Sequence, residues 1–487
     1  MKTSQNGERT WEFAFILLLF AAAFLLRIWG MSKLHFWDEA VYLQNAEVMC
    51  CGKLNYSELD SRPPLLSLIF AAVFKIWHSI YAADIVTALL NASGPVLLYL
   101  AGSRIVGRKA AVIAALLLAF VPFFVGVFPE GFDTDNTGNS LLADEPALTF
   151  LLLGLLLLVS ALRRQTRLRF AAVGFVFALA VLMRFSCLST IAVIGLLVFA
   201  AERWFGAVLA CAAGFFAGIL PYMCWSRWRY GGFLMTLRNG WELYEYSGRQ
   251  PVLYYAHNFG NIFGWITLAG LVLWLARAIW LRCQESPRPS RAEGREGLPT
   301  WIDSYLWAWA LLVIAIFFVM PHQEPRYTMP AAPPLFLLAG SGLALLTSGH
   351  ARCWRFAGMA VVAAALFFTF LPDRERFAGP FVGHSVSQEM RVSQYLDDNF
   401  PPGTPLFCNF NYPVFGFYSH LRIHELRERG PLLYQALELL PVDGVLVAYK
   451  DPQIDPDPRP DWLLAHSQFQ QLREFGSIVL YRHDARK

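Results

Sequence analysis

Charge is scarce in this chain. Only 16% of its 487 residues are Asp, Glu, Lys or Arg, while 56% are hydrophobic. A water-soluble protein of this length rarely carries so little charge or such long apolar runs. Other features are missing as well. There is no glycine-rich loop of the phosphate-cradling kind and no nucleic-acid-reading motif. The net charge of +4 comes mostly from arginines between apolar runs, so it gives no argument for a nucleic-acid partner. No internal repeat of the sort transporters often carry is visible. The eight cysteines form no framework. Cys187, Cys211 and Cys353 sit in or beside apolar runs as small packing residues. Cys50, Cys51, Cys224 and Cys408 leave a disulfide open, with a pairing that sequence does not decide.

What remains is apolar sequence in span-length pieces. An α-helix needs about 17 to 25 apolar residues to cross the hydrocarbon core. Eleven runs read as spans: 12–30, 82–101, 110–127, 145–161, 170–183, 187–200, 204–222, 259–281, 304–320, 328–347 and 355–371. Positive charge orients them. The basic connections 102–109, 162–169, 282–303 and 348–354 belong in the cytoplasm, which sends 31–81, 128–144, 223–258 and 321–327 to the outer face. The run "PPLLSLIFAAVFKIWH" (63–78) would invert this scheme if counted. It is therefore expected as an amphipathic or re-entrant helix near the outer surface. Lys2 and Arg9 before the first run resemble a signal peptide, but the run continues to Arg27 and Trp29, which favours an uncleaved anchor. The stretch 286–299, rich in Pro, Gly, Ser and charge, is expected to be a flexible cytoplasmic linker.

Composition changes abruptly after Leu371. We therefore expect a membrane domain over 1–372 and an extracytoplasmic α/β domain over 373–487. In the second, "SQEMRVSQYLDDNF" and "PLLYQALELL" read as helices, and "TPLFCNF" and "GVLVAY" as strands. A final helix is expected around "DWLLAHSQFQQLREF", leading into the strand "SIVLYRH". No catalytic cluster is evident there, so a role in covering a site or meeting an acceptor is expected.

Four polar clusters fall on the predicted outer face. Asp38 and Glu39 lie in "HFWDEAVYL", with Arg62 downstream before Pro63 and Pro64. Asp144 and Glu145 open the fourth span, where acids also suit a helix N-terminus. Arg184 lies between two short spans, a place where arginines also snorkel. "PHQEPRYTMP" holds His322, Glu324, Arg326 and Tyr327 within six residues. Ionisable groups at a bilayer edge are costly unless paired or solvated, so they mark candidate sites. The loop 223–258 adds Trp225, Trp228, Tyr230, Trp241, Tyr244, Tyr246, Tyr254 and Tyr255. These suit an interfacial belt, or a platform that grips lipid or sugar.

Taken together, "WDEAVYLQNAEVMCCGKLNY…RPPL", "ADEPAL", "RF" after a span and "HQEPRYTMPAAPPL" resemble the C superfamily of glycosyltransferases. The branch that fits best contains the protein O-mannosyltransferases and the lipid A aminoarabinose transferases. The resemblance runs over residues 12 to about 345. It implies a polytopic α-helical membrane enzyme, a polyprenyl-phosphate sugar donor, and a lipid, glycan or protein acceptor. It further implies a multi-pass protein of a bacterial inner membrane with its site on the periplasmic or lumenal side, among membrane lipids and without nucleic acid. Residue by residue, Asp38 matches the family's catalytic acid, with Glu39 beside it. Asp144 matches a second acid that positions acceptor or metal. Arg62, Arg184, His322, Arg326 and Tyr327 fall at donor-phosphate positions, with Glu145 and Glu324 in support. Arg stands for the commoner Lys at 62 and 184, and Gln323 replaces a frequent Lys.

The chemistry calls for these residue types. A carboxylate accepts the proton of an attacking hydroxyl, and arginines neutralise charge growing on a leaving phosphate. Inversion at the sugar is inferred from the resemblance. A divalent metal is a candidate cofactor, with Asp38, Asp144 and His322 as candidate ligands and Glu39 beside them. A transporter or flippase of lipid-linked sugars is the alternative, but it calls for paired charges at mid-membrane in broken helices. A non-catalytic scaffold would make the acids dispensable. The charge bias yields a topology prediction: a reporter fused after residue 373 is active outside the cytoplasm, and one at residue 290 inside. A cytoplasmic C-terminal domain would defeat the one-face arrangement.

Overall fold

The computed structural model describes residues 2–29, 37–125, 141–202, 205–245, 251, 253–283, 302–320, 323–346, 387–428, 430–450 and 458–485. The chain divides into two compact units, one of residues 1–31, 60–65 and 84–382, the other of 32–59, 66–83 and 383–487.

The first unit is helical. Its main described helices are α1 (Lys2–Ile28), α4 (Ile80–Ile105), α5 (Arg108–Phe120), α6 (Asp144–Arg164), α7 (Arg167–Met183), α8 (Cys187–Glu202), α9 (Phe205–Tyr230), α13 (Trp265–Cys283), α14 (Ile302–Val319) and α15 (Ala332–Leu343). Five of the described helices contain stretches long and apolar enough to cross a membrane: Thr10–Ile28, Ile80–Ile105, Asp144–Arg164, Phe205–Tyr230 and Ile302–Val319. Several expected spans are shorter or broken. The run 259–281 divides at Gly264, whose φ of +82° separates α12 (Phe259–Phe263) from α13. The run 328–347 begins as a 3₁₀ turn, Pro325–Ala331, before the twelve residues of α15. Pro330, Pro333 and Pro334 lie at that junction, where proline tolerates only a helix start. The expected run 355–371 lies outside the described residues, as does the linker 286–299.

Water is absent between membrane helices, so close van der Waals approach holds them together. Glycines permit it. A Cβ at Gly174 of α7 would come within 1.8 Å of the Cys211 carbonyl oxygen on α9, and one at Gly214 of α9 within 1.8 Å of the Ala171 carbonyl on α7. The two backbones therefore touch directly. Helix α15 is buried almost all round, as an apolar helix without a polar face must be.

A buried ion pair joins three of these helices. Arg27 of α1 and Glu145 of α6 meet at 2.7 Å (Nη2 to Oε1) and 3.3 Å (Nε to Oε2). Arg27 also donates to the carbonyls of Ala23 and, across on α5, Leu118, each at 3.3 Å. Their side chains are 0% and 3% exposed. Further along the first helix, Leu19, Ala23, Ala92, Tyr99 and Ala115 belong to one apolar cluster. The first helix is thus tied to the helices of Glu145 and Leu118.

The second unit is α/β. Helix α2 (Trp37–Cys51) and the ten-residue α3 (Leu65–Phe74) come from the early segments. At about 1.5 Å per residue, α3 extends roughly 15 Å, half a hydrocarbon core, which agrees with a non-spanning helix. The rest is a five-stranded sheet in the order β2 (Arg422–Glu425), β1 (Pro405–Cys408), β3 (Gly444–Tyr449), β5 (Ile478–His483), β4 (Phe469–Phe475). Strand β1 is parallel to β2 and β3, while β5 runs antiparallel to β3 and β4. Every residue of β3 is buried. Val445, Val447 and Tyr449 face one apolar cluster and Leu446 and Ala448 the other. Such a strand is covered on both faces.

The helices Gln388–Asn399 and Pro431–Glu438 and the strands β1, β3 and β5 fall where the sequence predicts them. The helix expected through 461–475 does not. Only Pro460–Ala465 is helical, and Phe469–Phe475 is an edge strand. Gly476, at φ +61°, turns that strand tightly into β5, and backbone pairing with β5 overrides the helical look of "FQQLREF". The helix Tyr412–Tyr418 and the strand β2 were not foreseen.

Breaking a buried pair leaves an uncompensated charge, at a cost of about 3–5 kcal/mol. Arg27→Ala should therefore lower the melting temperature of the purified protein sharply, and Arg27→Met with Glu145→Met should recover much of the loss. A double variant as unstable as the single one would show that the pair itself is not the source.

Candidate active site

Within the membrane unit, three helix ends supply a polar constellation. Asp144 is the first residue of α6, Arg184 follows the last residue of α7, and Tyr327 and Arg326 lie in the 3₁₀ turn before α15. Arg184 has extended backbone, and its amide still bonds the Ala180 carbonyl at 2.9 Å. Its side chain thus leaves the helix where the chain turns away. Arg184 Nε lies 3.1 Å from Asp144 Oδ1, with both side chains nearly buried. The Arg184 guanidinium stacks over the Tyr327 ring at 5.4 Å, and Arg326 approaches the same ring at 5.9 Å. Arg326 Nε pairs with Glu324.

The aromatic ring is held from behind. Phe317 of α14 lies 6.0 Å from Tyr327, ring to ring. The Tyr255 hydroxyl donates to the Glu324 carbonyl at 3.3 Å, and burial pushes its pKa upward, so it remains a neutral donor. Desolvated cation–π contacts are worth roughly 2 kcal/mol, so one ring can position two guanidinium groups.

Two neighbouring acids have different partners. Residues 144 and 145 project about 100° apart on a helix. Asp144 meets Arg184, whereas Glu145 turns into the core to Arg27. Glu145 therefore anchors the helix that presents Asp144. Arg27 was not singled out by the sequence reading as its partner, although a cation in an apolar run demands one.

Arg62 belongs to the same unit, in a turn held by α10 (Met235–Glu245). Asn239 donates to the Asp60 carbonyl at 3.2 Å, and a Cβ at Gly240 would reach 2.7 Å from the Ser61 carbonyl. Asp38 and Glu39 lie in the second unit, both buried in the first turn of α2, where the macrodipole favours carboxylates. Trp37 fixes that turn by an edge-on contact with Tyr412 at 4.2 Å. Gln323 is buried and donates to the Phe318 carbonyl at 2.6 Å, a structural contact. His322 lies outside the described residues. Of the metal candidates, Asp144 is engaged by Arg184. The only three-ligand grouping among the described residues falls elsewhere, at Glu47, Cys50 and Cys51. The aromatic residues of 223–258 are distributed over α9, α10 and α11 (Tyr254–His257), with Trp228 and Trp241 exposed; Tyr246 is outside the described residues.

The Asp144–Arg184 contact makes a measurable prediction. Residues in direct contact couple by about 0.5–3 kcal/mol. Thermal unfolding of Asp144→Asn, Arg184→Gln and the double variant should be non-additive within that range. Additive losses would mean that the two side chains do not meet.

Comparison with known proteins bears on what this constellation is. The family of dolichyl-phosphate-mannose-protein mannosyltransferases matches residues 61–228. No curated protein sequence matches the chain. In fold, the chain is similar to ArnT from Cupriavidus metallidurans bound to undecaprenyl phosphate, with a TM-score of 0.65 and 14% identity over 98% of both chains. It is also similar to the apo oligosaccharyltransferase of Archaeoglobus fulgidus, with a TM-score of 0.61 and 12% identity over 90% of this chain and 69% of that one. AglB from the same organism, in complex with an inhibitory peptide and a dolichol-phosphate, matches at 0.58 and 12% identity over 98% and 74%. Over nearly its whole length the chain shares the fold of these solved proteins, and the family match over residues 61–228 falls within it.

Proposed function

We propose that this protein moves a sugar from a polyprenyl-phosphate donor to a lipid, glycan or protein acceptor. The proposed location is the periplasmic face of a bacterial inner membrane. The observation that carries the reading is the buried group of Asp144, Arg184, Tyr327 and Arg326 at the ends of membrane helices. A similar fold holds undecaprenyl phosphate in one relative and dolichol-phosphate in another. Arginine is the residue suited to a phosphate oxygen in a desolvated site, because its planar fork offers several donors at once. Arg184 and Arg326 engage their carboxylates through Nε.

In this reading an acceptor hydroxyl attacks the anomeric carbon, and the bond to the lipid phosphate breaks. Asp38 takes the hydroxyl proton. Arg62, Arg184 and Arg326 stabilise the charge that collects on the departing phosphate. Asp144 keeps Arg184 oriented, so the cation needs no reorganisation when the donor arrives. One displacement of this kind inverts the sugar carbon.

Two variants separate base from clamp. Asp38→Asn is nearly isosteric, so it should bind undecaprenyl phosphate normally while sugar transfer falls about 100- to 10,000-fold. Arg62→Ala should first weaken that binding. Lipid binding and transfer measured side by side on purified protein decide the matter. Near-normal transfer by Asp38→Asn would remove Asp38 as base and turn attention to Glu39 or Asp144.

A further inference from the structure

Helix α2 carries a second group of reactive side chains at its other end. Glu47, Cys50 and Cys51 are spaced i, i+3 and i+4, which puts all three on one helical face. Their ligand atoms, one carboxylate oxygen and two sulfurs, lie within 4.8 Å of one another. Cys50 and Cys51 are bridged. Glu47 is buried, and its Oε1 meets His78 Nε2 at 2.7 Å. That ring is fixed in turn by the edge-on contact of Phe74, at 5.3 Å. All of these residues belong to the second unit. The group is about 14 Å along α2 from Asp38, at 1.5 Å per residue over nine residues. The transfer chemistry makes no use of it.

We propose that Glu47, Cys50 and Cys51 form a site for a zinc-class divalent ion that opens when the Cys50–Cys51 bridge is reduced. Two thiolates and one carboxylate are a donor set that suits this metal, which takes tetrahedral sulfur, nitrogen and oxygen ligands. His78 is a positioning residue: it hydrogen-bonds the carboxylate and sets which oxygen faces the metal. The step balances. A dithiol reductant gives two electrons and two protons to the bridge and becomes a disulfide itself. The metal then displaces the two thiol protons. Two thiolates and a carboxylate around a divalent cation leave one net negative charge. Lys53, which lies within electrostatic reach of Glu47, offsets it. An oxidising compartment keeps the bridge closed and the site shut. Metal uptake is therefore a readout of the redox state of this helix end.

The test uses the full-length protein in detergent, with Co²⁺ as the probe. One sample is reduced by a phosphine and desalted without oxygen, and the other is left oxidised. The reduced protein should bind one equivalent and develop the near-ultraviolet sulfur-to-cobalt band, while the oxidised protein should show neither. Cys50→Ser with Cys51→Ser should abolish the band. Glu47→Gln should keep the sulfurs but weaken binding at least tenfold, and His78→Ala should weaken it about 10- to 100-fold, as loss of an outer partner does. Equal binding in both redox states, no band in the reduced protein, or a full band in the double serine variant would each overturn the proposal. The redox comparison on the unaltered protein stands even if a serine variant fails to fold.

Discussion

A guanidinium and a carboxylate with no access to water cannot both stay charged unless they meet. The Arg27–Glu145 pair is the constraint from which the membrane unit is organised. It fixes α1 against α5 and α6 and satisfies backbone carbonyls along the way. By committing Glu145 inward it also decides where the preceding residue projects. Asp144 then has a defined partner in Arg184, and Arg184 a defined ring in Tyr327. The candidate site is thus the outward side of a pair whose inward side is structural.

Much of this was legible from residue types alone. Long apolar runs announced a membrane protein, and the position of Asp144, Arg184 and Arg326 at run ends marked them as candidates. The run 63–78, expected from charge bias as an amphipathic or re-entrant helix, forms the ten-residue α3. What could not be read was the partner of each charge. Hydropathy treats Arg27 as a blemish in an apolar run, whereas only three-dimensional packing reveals that Glu145, 118 residues away, completes it. Helix ends suffered likewise. Gly264 and the prolines from 325 to 334 break runs that hydropathy averages into single spans.

The polar C-terminal region shows the same limit in another form. Buried strands such as β3 are unmistakable, because both faces are apolar. The edge strand Phe469–Phe475 is half exposed, and its spacing of Phe, Leu and Phe is as compatible with a helix. Pairing with β5 decides it, and pairing is not a local property. Nor is it evident from sequence that residues 32–59 and 66–83 share a unit with 383–487. Trp37 and Tyr56 are recruited by aromatic contacts with Tyr412 that span more than three hundred residues.

That discontinuity has a consequence for biosynthesis. The loop bearing Asp38 leaves the ribosome early, but the strands and the Tyr412 helix it packs with come roughly 350 residues later. At about 5–20 residues per second, the wait is some 15–70 s. During that interval Trp37 and Tyr56 lack their ring contacts with Tyr412. The turn that carries Asp38 therefore acquires its packing against Tyr412 only long after it has been made.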